Sequence, residues 1–417
     1  MKKSLLALAA MGAFAGAAQA QSSVSVYGVM DGSYTATENK QNLAAGNATA
    51  VTQQRNTVNG DGAYSTSRLG FRGVEDLGGG QRAEFQLEYD LINIGNGANG
   101  TDTAYNQTSN TNGRTASFGA RYSWIGIADK NLGGLRIGRQ ETSMHGAFTN
   151  GLAGQANNMP GSIYSAGTGT TGSTIINATA RPYDVFIDQA ITYLAPTVVN
   201  GLSAQVQYSQ NAYSVATTTP SQGFTQFGAN IRYTGVKNLS LAYGYWQTNS
   251  VVVPAEAVAA VAGNAGTAAV VGANIKNVAH ALTANYNFGP VTAFALASKL
   301  KITNQTNNEV NRDQSAYEFG LRAPVSKVIE VWGSMFTGDR TMTANNANLT
   351  STATAALATT PTGRADLTGF QLGAQYNFSK RTTAYAIFGE QSVKGKQAAS
   401  GTKIESSGYA VGLRHTF

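Results

Sequence analysis

The 417-residue chain combines 48 glycines, 19 tyrosines and only 12% charged residues with no cysteine, so a disulfide framework and a cysteine metal site are both excluded. Its formal net charge is +7, yet no Lys/Arg block marks a nucleic-acid arm, and nucleic acid is not an expected partner. Abundant glycine with only 8 prolines suits many short strands joined by tight turns better than several soluble domains.

The chain opens with Met1-Lys2-Lys3-Ser4, an apolar run from Leu5 to Ala18, and small residues at Ala18-Gln19-Ala20. This is the pattern of a secretory signal peptide over residues 1–20, too short and too alanine-rich for a spanning helix. Residues 21–417 then read as one domain. Without Lys2 and Lys3 it carries 27 basic against 22 acidic side chains, a mild excess of +5.

From Ser22 onward, Val24, Val26, Gly28 and Met30 alternate with Ser25, Tyr27, Val29 and Asp31, the period of a strand with unlike faces. A first long loop is expected to run to about Tyr64. Ser67 to Glu75 and Gln81 to Asp90 follow as a hairpin around Asp76-Leu77-Gly78-Gly79-Gly80. Thr115 to Ile127 and Leu135 to Gln140 make the next pair. The alternation then stops from Gln140 to Asp188, where Gly, Ala, Ser, Thr and Asn dominate. Structureless insertions of this length are uncommon and usually functional or disordered, and this one is expected to fold into the lumen of a barrel and set its bore. Hairpins resume from Ala190 and continue to Ser407–Phe417.

The count is sixteen strands, seven short turns and eight long loops. An even set of such strands, with short turns at one end and long loops at the other, predicts an all-β, antiparallel transmembrane β-barrel. Closure of first strand on last removes the edges that a bilayer cannot hydrate. Tyr233, Tyr286, Phe288, Tyr376, Phe378 and Phe417 fall at turn ends on the apolar parity, where an interfacial girdle belongs. The opposite parity is expected to face water. It carries Arg68, Arg72, Arg82, Arg121, Arg136, Arg232, Lys299, Lys301, Arg322 and Arg414, with Asp31, Glu84, Glu88, Glu318 and Glu330.

Four stretches resemble the general, non-specific porins of Gram-negative outer membranes, in their beta-proteobacterial branch. They are Val26-Tyr27-Gly28-Val29-Met30-Asp31, the run from Ser67 to Gly80, Gly138-Arg139-Gln140, and Gly412-Leu413-Arg414-His415-Thr416-Phe417. The resemblance implies a homotrimer of sixteen-stranded barrels in contact with outer-membrane lipids and lipopolysaccharide. It also implies passage of ions and small hydrophilic solutes, and a third loop folded inward opposite a ladder of arginines. Arg68, Arg72 and Arg121 are similar to ladder positions, Arg139 to a position near the constriction, and Phe417 to the terminal aromatic read by the outer-membrane assembly machinery. Trimer contacts would come from the first few strands, the last strand and the second loop, about Asn93 to Arg114.

Two departures stand out. From Thr142 to Tyr183 the third loop has no acid, leaving Glu141, Asp184 and Asp188 at its flanks and Arg181 within it, and Thr192 stands where relatives often have a basic residue. With Arg136 and the wall arginines in excess, weak anion preference is the expectation. A substrate-specific channel and an adhesin or receptor role for the loops remain open alternatives. The G-x-G-x-x-G letters at Gly95 to Gly100 precede no helix and suggest no phosphate site. The stretch Val251 to Ala273 is interrupted by Pro254 and Glu256 and reads as an external loop. His145, His280 and His415 are too scattered for a metal site, and His145 reads as an exposed loop histidine. Neither catalysis nor a cofactor is expected.

Overall fold

A computed structural model describes residues 23–42, 51–59, 62–92, 117–165, 181–211, 222–252, 273–306, 308–342, 363–396 and 403–417. The expected signal peptide, the expected second loop and the G-x-G-x-x-G stretch lie outside these residues. The described residues form one seventeen-stranded antiparallel sheet. The strands of its first half are β1 (Ser23–Asn42), β2 (Val51–Asn59), β3 (Arg68–Gly78), β4 (Gln81–Ile92), β5 (Ser117–Asp129), β6 (Gly133–Glu141), β7 (Phe186–Leu194), β8 (Leu202–Asn211) and β9 (Gln222–Tyr233). Its second half comprises β10 (Leu239–Val252), β11 (Ala273–Asn287), β12 (Thr292–Asn304), β13 (Glu309–Pro324), β14 (Ile329–Met342), β15 (Gly363–Asn377), β16 (Thr382–Gly395) and β17 (Lys403–Thr416).

Strand β1 pairs with β17 from Val29↔Thr416 to Asn42↔Lys403, and Gly28 and Phe417 exchange backbone hydrogen bonds of 3.1 and 3.2 Å. The sheet is therefore a closed barrel of sixteen staves. The seventeenth strand arises because β2 and β3 share a stave: β1 pairs with β2 through Ser33–Gln41 and with β3 through Ser23–Val29. The first loop is thus shorter than its composition suggested, since residues 51–59 return as strand. The shared stave is broken at residues 62–67, where Ala63 and Tyr64 are buried against Trp332 and Tyr385.

The outward face is apolar where lipid requires it, with Ile125, Ile137, Leu282, Met335 and Val411 each at least half exposed. Turn-end aromatics occupy the outward positions expected of them, Tyr286 against Phe288 at 4.6 Å and Tyr376 against Phe378 at 4.9 Å. A second aromatic row stands nearer the loops: Tyr34, Tyr208, Phe227, Tyr243, Tyr317, Phe370, Phe388 and Tyr409, all exposed. Two or three outward positions separate the two rows on β9, β15 and β17, and these are apolar or small apart from His415, as a lipid-facing band requires.

The inward face is not uniformly wet. Along β10–β17 it carries Trp246, Leu296, Leu300, Phe336, Leu367 and Ile387, all buried. This overturns the expectation for Lys299 and Lys301. His280 pairs with Lys299, and Lys299 with Ser315, on the parity of Leu282 and Tyr317. Both lysines therefore project outward, while Leu300 and Ile302 face in. Alternation in β12 is real, but its apolar residues serve a dry contact inside the barrel, and its alanines face out. Arg121 shows the reverse effect. Strict alternation from Ile125 and Ile127 would turn it outward, but a register shift between Glu88 and Tyr89 makes it a bulge residue and swings it into the lumen.

Candidate pore and its constriction

The third loop leaves β6 at Glu141 and closes at its base, where Thr142 N donates to Val185 O at 2.8 Å and Thr142 Oγ1 to Asp184 O at 2.7 Å. It begins with a helix, α1 (Ser143–Thr149), that the glycine-rich composition had hidden. Met144, Ala147 and Phe148 form its buried face against β8–β11. Burying Met144, Phe148 and Ile163 completely contributes roughly 1.5–3 kcal/mol each.

Polar clips then fix the loop across the lumen. Asn230 donates to Ser143 O at 2.8 Å, Ser240 to Asn150 Oδ1 at 2.9 Å, and Arg322 Nε to Ala153 O at 2.7 Å. Asn157 and Gln371 exchange amide hydrogen bonds of 2.6 and 3.0 Å. At the far side, Gln391 accepts from Gly161 N at 3.1 Å, and Glu318 accepts from Ile163 N at 2.8 Å and Ser162 Oγ at 3.0 Å. Backbone touches backbone here: a Cβ on Gly389 would lie 1.9 Å from Pro160 O, and one on Gly161 (φ +95) 2.0 Å from Phe370 O. Asn158 N donates to Ala63 O at 3.0 Å, so the loop reaches the break in the second stave.

These contacts lie on β8–β17 and on residues 62–64, which leaves the inward face of β3–β6 without loop clips among the described residues. There the lumenal row of Arg68, Arg72, Arg82, Arg121 and Arg136 is interleaved with Glu84, Glu88 and Asp90. Arg121 donates to Glu88 at 2.7 Å and Asp90 at 3.1 Å, Arg136 lies 3.0 Å from Glu84, and Arg68 lies 3.8 Å from Glu88. Aromatic rings seat the guanidinium groups: Arg72 over Tyr27 at 5.4 Å, Arg136 over Trp124 at 4.2 Å, Arg121 over Phe186 at 4.8 Å. Asp90, Tyr27, Trp124 and Phe186 were not singled out from sequence. The alternation that exposed Glu88 would have found Asp90 two positions on.

Other expected pore residues are placed differently. Asp31 is fully buried, accepting from Tyr385 Oη and Ser65 N at 2.6 Å each, so it anchors the stave break instead of lining open lumen. Glu318 is likewise spent on the loop. Arg139 shares register with Ser123, opposite in parity to Arg136, and pairs with Asp188 at 2.5 Å; it joins the row only through the Phe186 ring, at 5.2 Å. Arg181 stacks on Tyr164 at 4.8 Å on the loop's return, and Asp184 lies exposed at the loop base. His145 is not exposed: its ring lies 3.0 Å from Tyr183 Oη and 3.9 Å from Glu141. Burial pushes its pKa below the ordinary histidine range, with Glu141 opposing, so it is neutral at pH 7.

A family model described as Gram-negative porin matches residues 7–396. The chain belongs to the Gram-negative porin family. This porin is 27% identical over 435 residues to outer membrane porin protein 32 of Delftia acidovorans, covering 100% of both chains. It is 29% identical over 441 residues to an outer membrane porin protein of Bordetella pertussis, again covering 100% of both. Its fold matches the anion-selective porin from Comamonas acidovorans with a TM-score of 0.62 at 22% identity, covering 95% of this chain and 100% of that one. The trimer form of OmpT from Vibrio cholerae matches with a TM-score of 0.55 at 13% identity, over 95% and 99% of the two chains. This porin is an integral protein of the outer membrane.

Proposed function

We propose that this porin is a passive, weakly anion-preferring pore for ions and small hydrophilic solutes, with no chemical step. The observation that carries the sign is the lumenal row on β3–β6, where Arg68, Arg72, Arg82, Arg121 and Arg136 outnumber Glu84, Glu88, Asp90 and the Asp76 that faces Arg82, together with a third loop whose sequence has no acid from Thr142 to Tyr183. Fixed rings of one charge select the opposite ion in a water-filled bore. The wall aromatics Tyr27, Trp124 and Phe186 are capped by arginines, so they offer no open stacking track to a particular solute. In a KCl gradient across a planar bilayer, the zero-current potential is expected to take the sign of chloride permeation, and a cation-selective potential would overturn the reading.

Homotrimeric assembly is supported by the trimer form of OmpT, and contacts through the first strands and the last, after removal of residues 1–20, belong to the same proposal. In this reading the assembly signal is Phe417, which is half exposed and packed over Gly28 at the closing seam. Deleting Phe417 is expected to lower the amount of folded trimer reaching the outer membrane, measured by heat-modifiable mobility in membrane extracts. Unchanged trimer would remove Phe417 from that role.

A further inference from the structure

Below the third loop, toward the short turns, the lumen holds a cavity of about 210 Å³ against β15–β17, with a mostly polar lining. This is about seven times the bulk volume of a water molecule, the size of one monosaccharide. Two inward rows build its wall. Glu330, Gln375, Tyr385 and Gly412 are neighbours in register across β14–β17, and one step nearer the turns Asn377, Thr383, Arg414 and Asp31 are neighbours across β15–β17 and β1. Glycines keep the space open. A Cβ on Gly412 would lie 2.3 Å from the Tyr385 ring and one on Gly373 2.0 Å from the Trp332 ring, so each ring lies over a bare Cα on the wall. Tyr64 closes one side from the stave break, and the loop contributes Gln155, whose backbone takes the left-handed conformation at φ +59. Residues other than glycine seldom adopt it.

The charges at this wall are balanced. Ser65 Oγ accepts from Arg414 Nε at 3.1 Å and donates to Asp31 Oδ2 at 3.3 Å, which couples the two charges through one hydroxyl. Glu330 is paired with Arg322 at 2.6 Å. What faces the cavity is therefore a mixed set of donors and acceptors. Asn377 accepts from Thr383 Oγ1 at 2.9 Å and keeps its NH2 group for the cavity, while Tyr64 donates to Gln375 Oε1 at 3.4 Å and keeps its oxygen as an acceptor. The Gln155 side-chain amide makes no hydrogen bond among the described residues.

A hydroxyl group both donates and accepts, so a ring or chain of hydroxyls matches such a lining. An ion would give up hydration there and meet no unpaired counter-charge. We propose that this cavity is a binding site for one neutral, polyhydroxylated solute of monosaccharide size, held by Gln155, Asn377, Thr383 and the Nη groups of Arg414. The rings of Tyr64 and Tyr385 pack on each other with centroids 5.4 Å apart, so hydrogen bonds and not stacking set the choice. The site extends the pore reading to uncharged solutes, which the arginine row on β3–β6 does not attract, and rests on that reading only for the route by which a solute arrives.

The test uses refolded full-length porin in detergent micelles, read by saturation-transfer NMR with glucose as the probe. The parent protein is expected to transfer saturation to glucose and little to gluconate, which carries a charge, or to triethylene glycol, which has few hydroxyls. Q155A/N377A removes two amide groups from the cavity and is expected to raise the glucose concentration at half-maximal transfer about tenfold. Q155A alone changes only an exposed loop side chain and is expected to raise it about threefold. No transfer in the parent, equal transfer to gluconate or triethylene glycol, or an unchanged half-maximal concentration in the variants overturns the proposal. The measurement uses no ion gradient, so a cation-selective potential would overturn the pore reading and leave this result standing.

Discussion

Excising residues 144–162 and joining the ends with a short glycine linker is expected to raise single-channel conductance severalfold. The reason is that the loop lies across the lumen: α1 lies on β8–β11, and the following segment is clipped to Arg322, Gln371, Gln391 and Glu318. The same excision uncovers Leu296, Leu300, Phe336 and Leu367 to water. Losing the burial of several such side chains, at roughly 1.5–3 kcal/mol each, should lower the unfolding temperature measurably while the closed hydrogen-bond ladder keeps the barrel intact. Heat-modifiable mobility on gels checks folding before conductance is read. A folded variant with parental conductance would show that another segment limits the bore.

Reversing charge on the open wall should reverse the ion preference. Arg72 and Arg82 are the exposed members of the lumenal row, and Arg82 meets Glu84 only in a half-exposed contact at 3.4 Å. Exposed pairs of that kind contribute about 0–1 kcal/mol, so R72E/R82E should fold normally. The substitution takes two cations from this row and adds two anions, a change of −4 in its charge. Zero-current potentials in a KCl gradient are expected to change sign, most clearly at low salt, where the screening length is longest. A potential that keeps its sign would move the selectivity filter away from β3–β6.

What could be seen in the bare sequence, and what could not, follows from where period two holds. On the staves β3, β4 and β6 period two is unbroken through Arg68, Arg72, Glu84, Glu88 and Arg136, so these residues share the face that alternation assigned to them. On β12 both faces are partly apolar, because Leu296, Leu300 and Ile302 are covered by the loop. The larger apolar residues then pointed to the wrong side, and Lys299 and Lys301 were read as lumenal. Arg121 depends on a bulge that leaves no mark in residue type. Helix α1 was masked by its small residues, and its buried face becomes apparent only once β8–β11 are present to receive Met144 and Phe148. Asp31 was placed on the correct face, but its burial depends on Tyr385 and Ser65, far away in sequence.

The dry contact inside the barrel has a consequence for biogenesis. Strands β10 to β16 are sticky on both sides, toward lipid and toward the loop, so as an exported, unfolded chain they form the segment most prone to self-association. Their cover, residues 143–163, precedes them in the chain and emerges first from translocation. A circular permutation placing the third loop after β16 is therefore expected to lower the yield of folded barrel, measured by heat-modifiable mobility on gels.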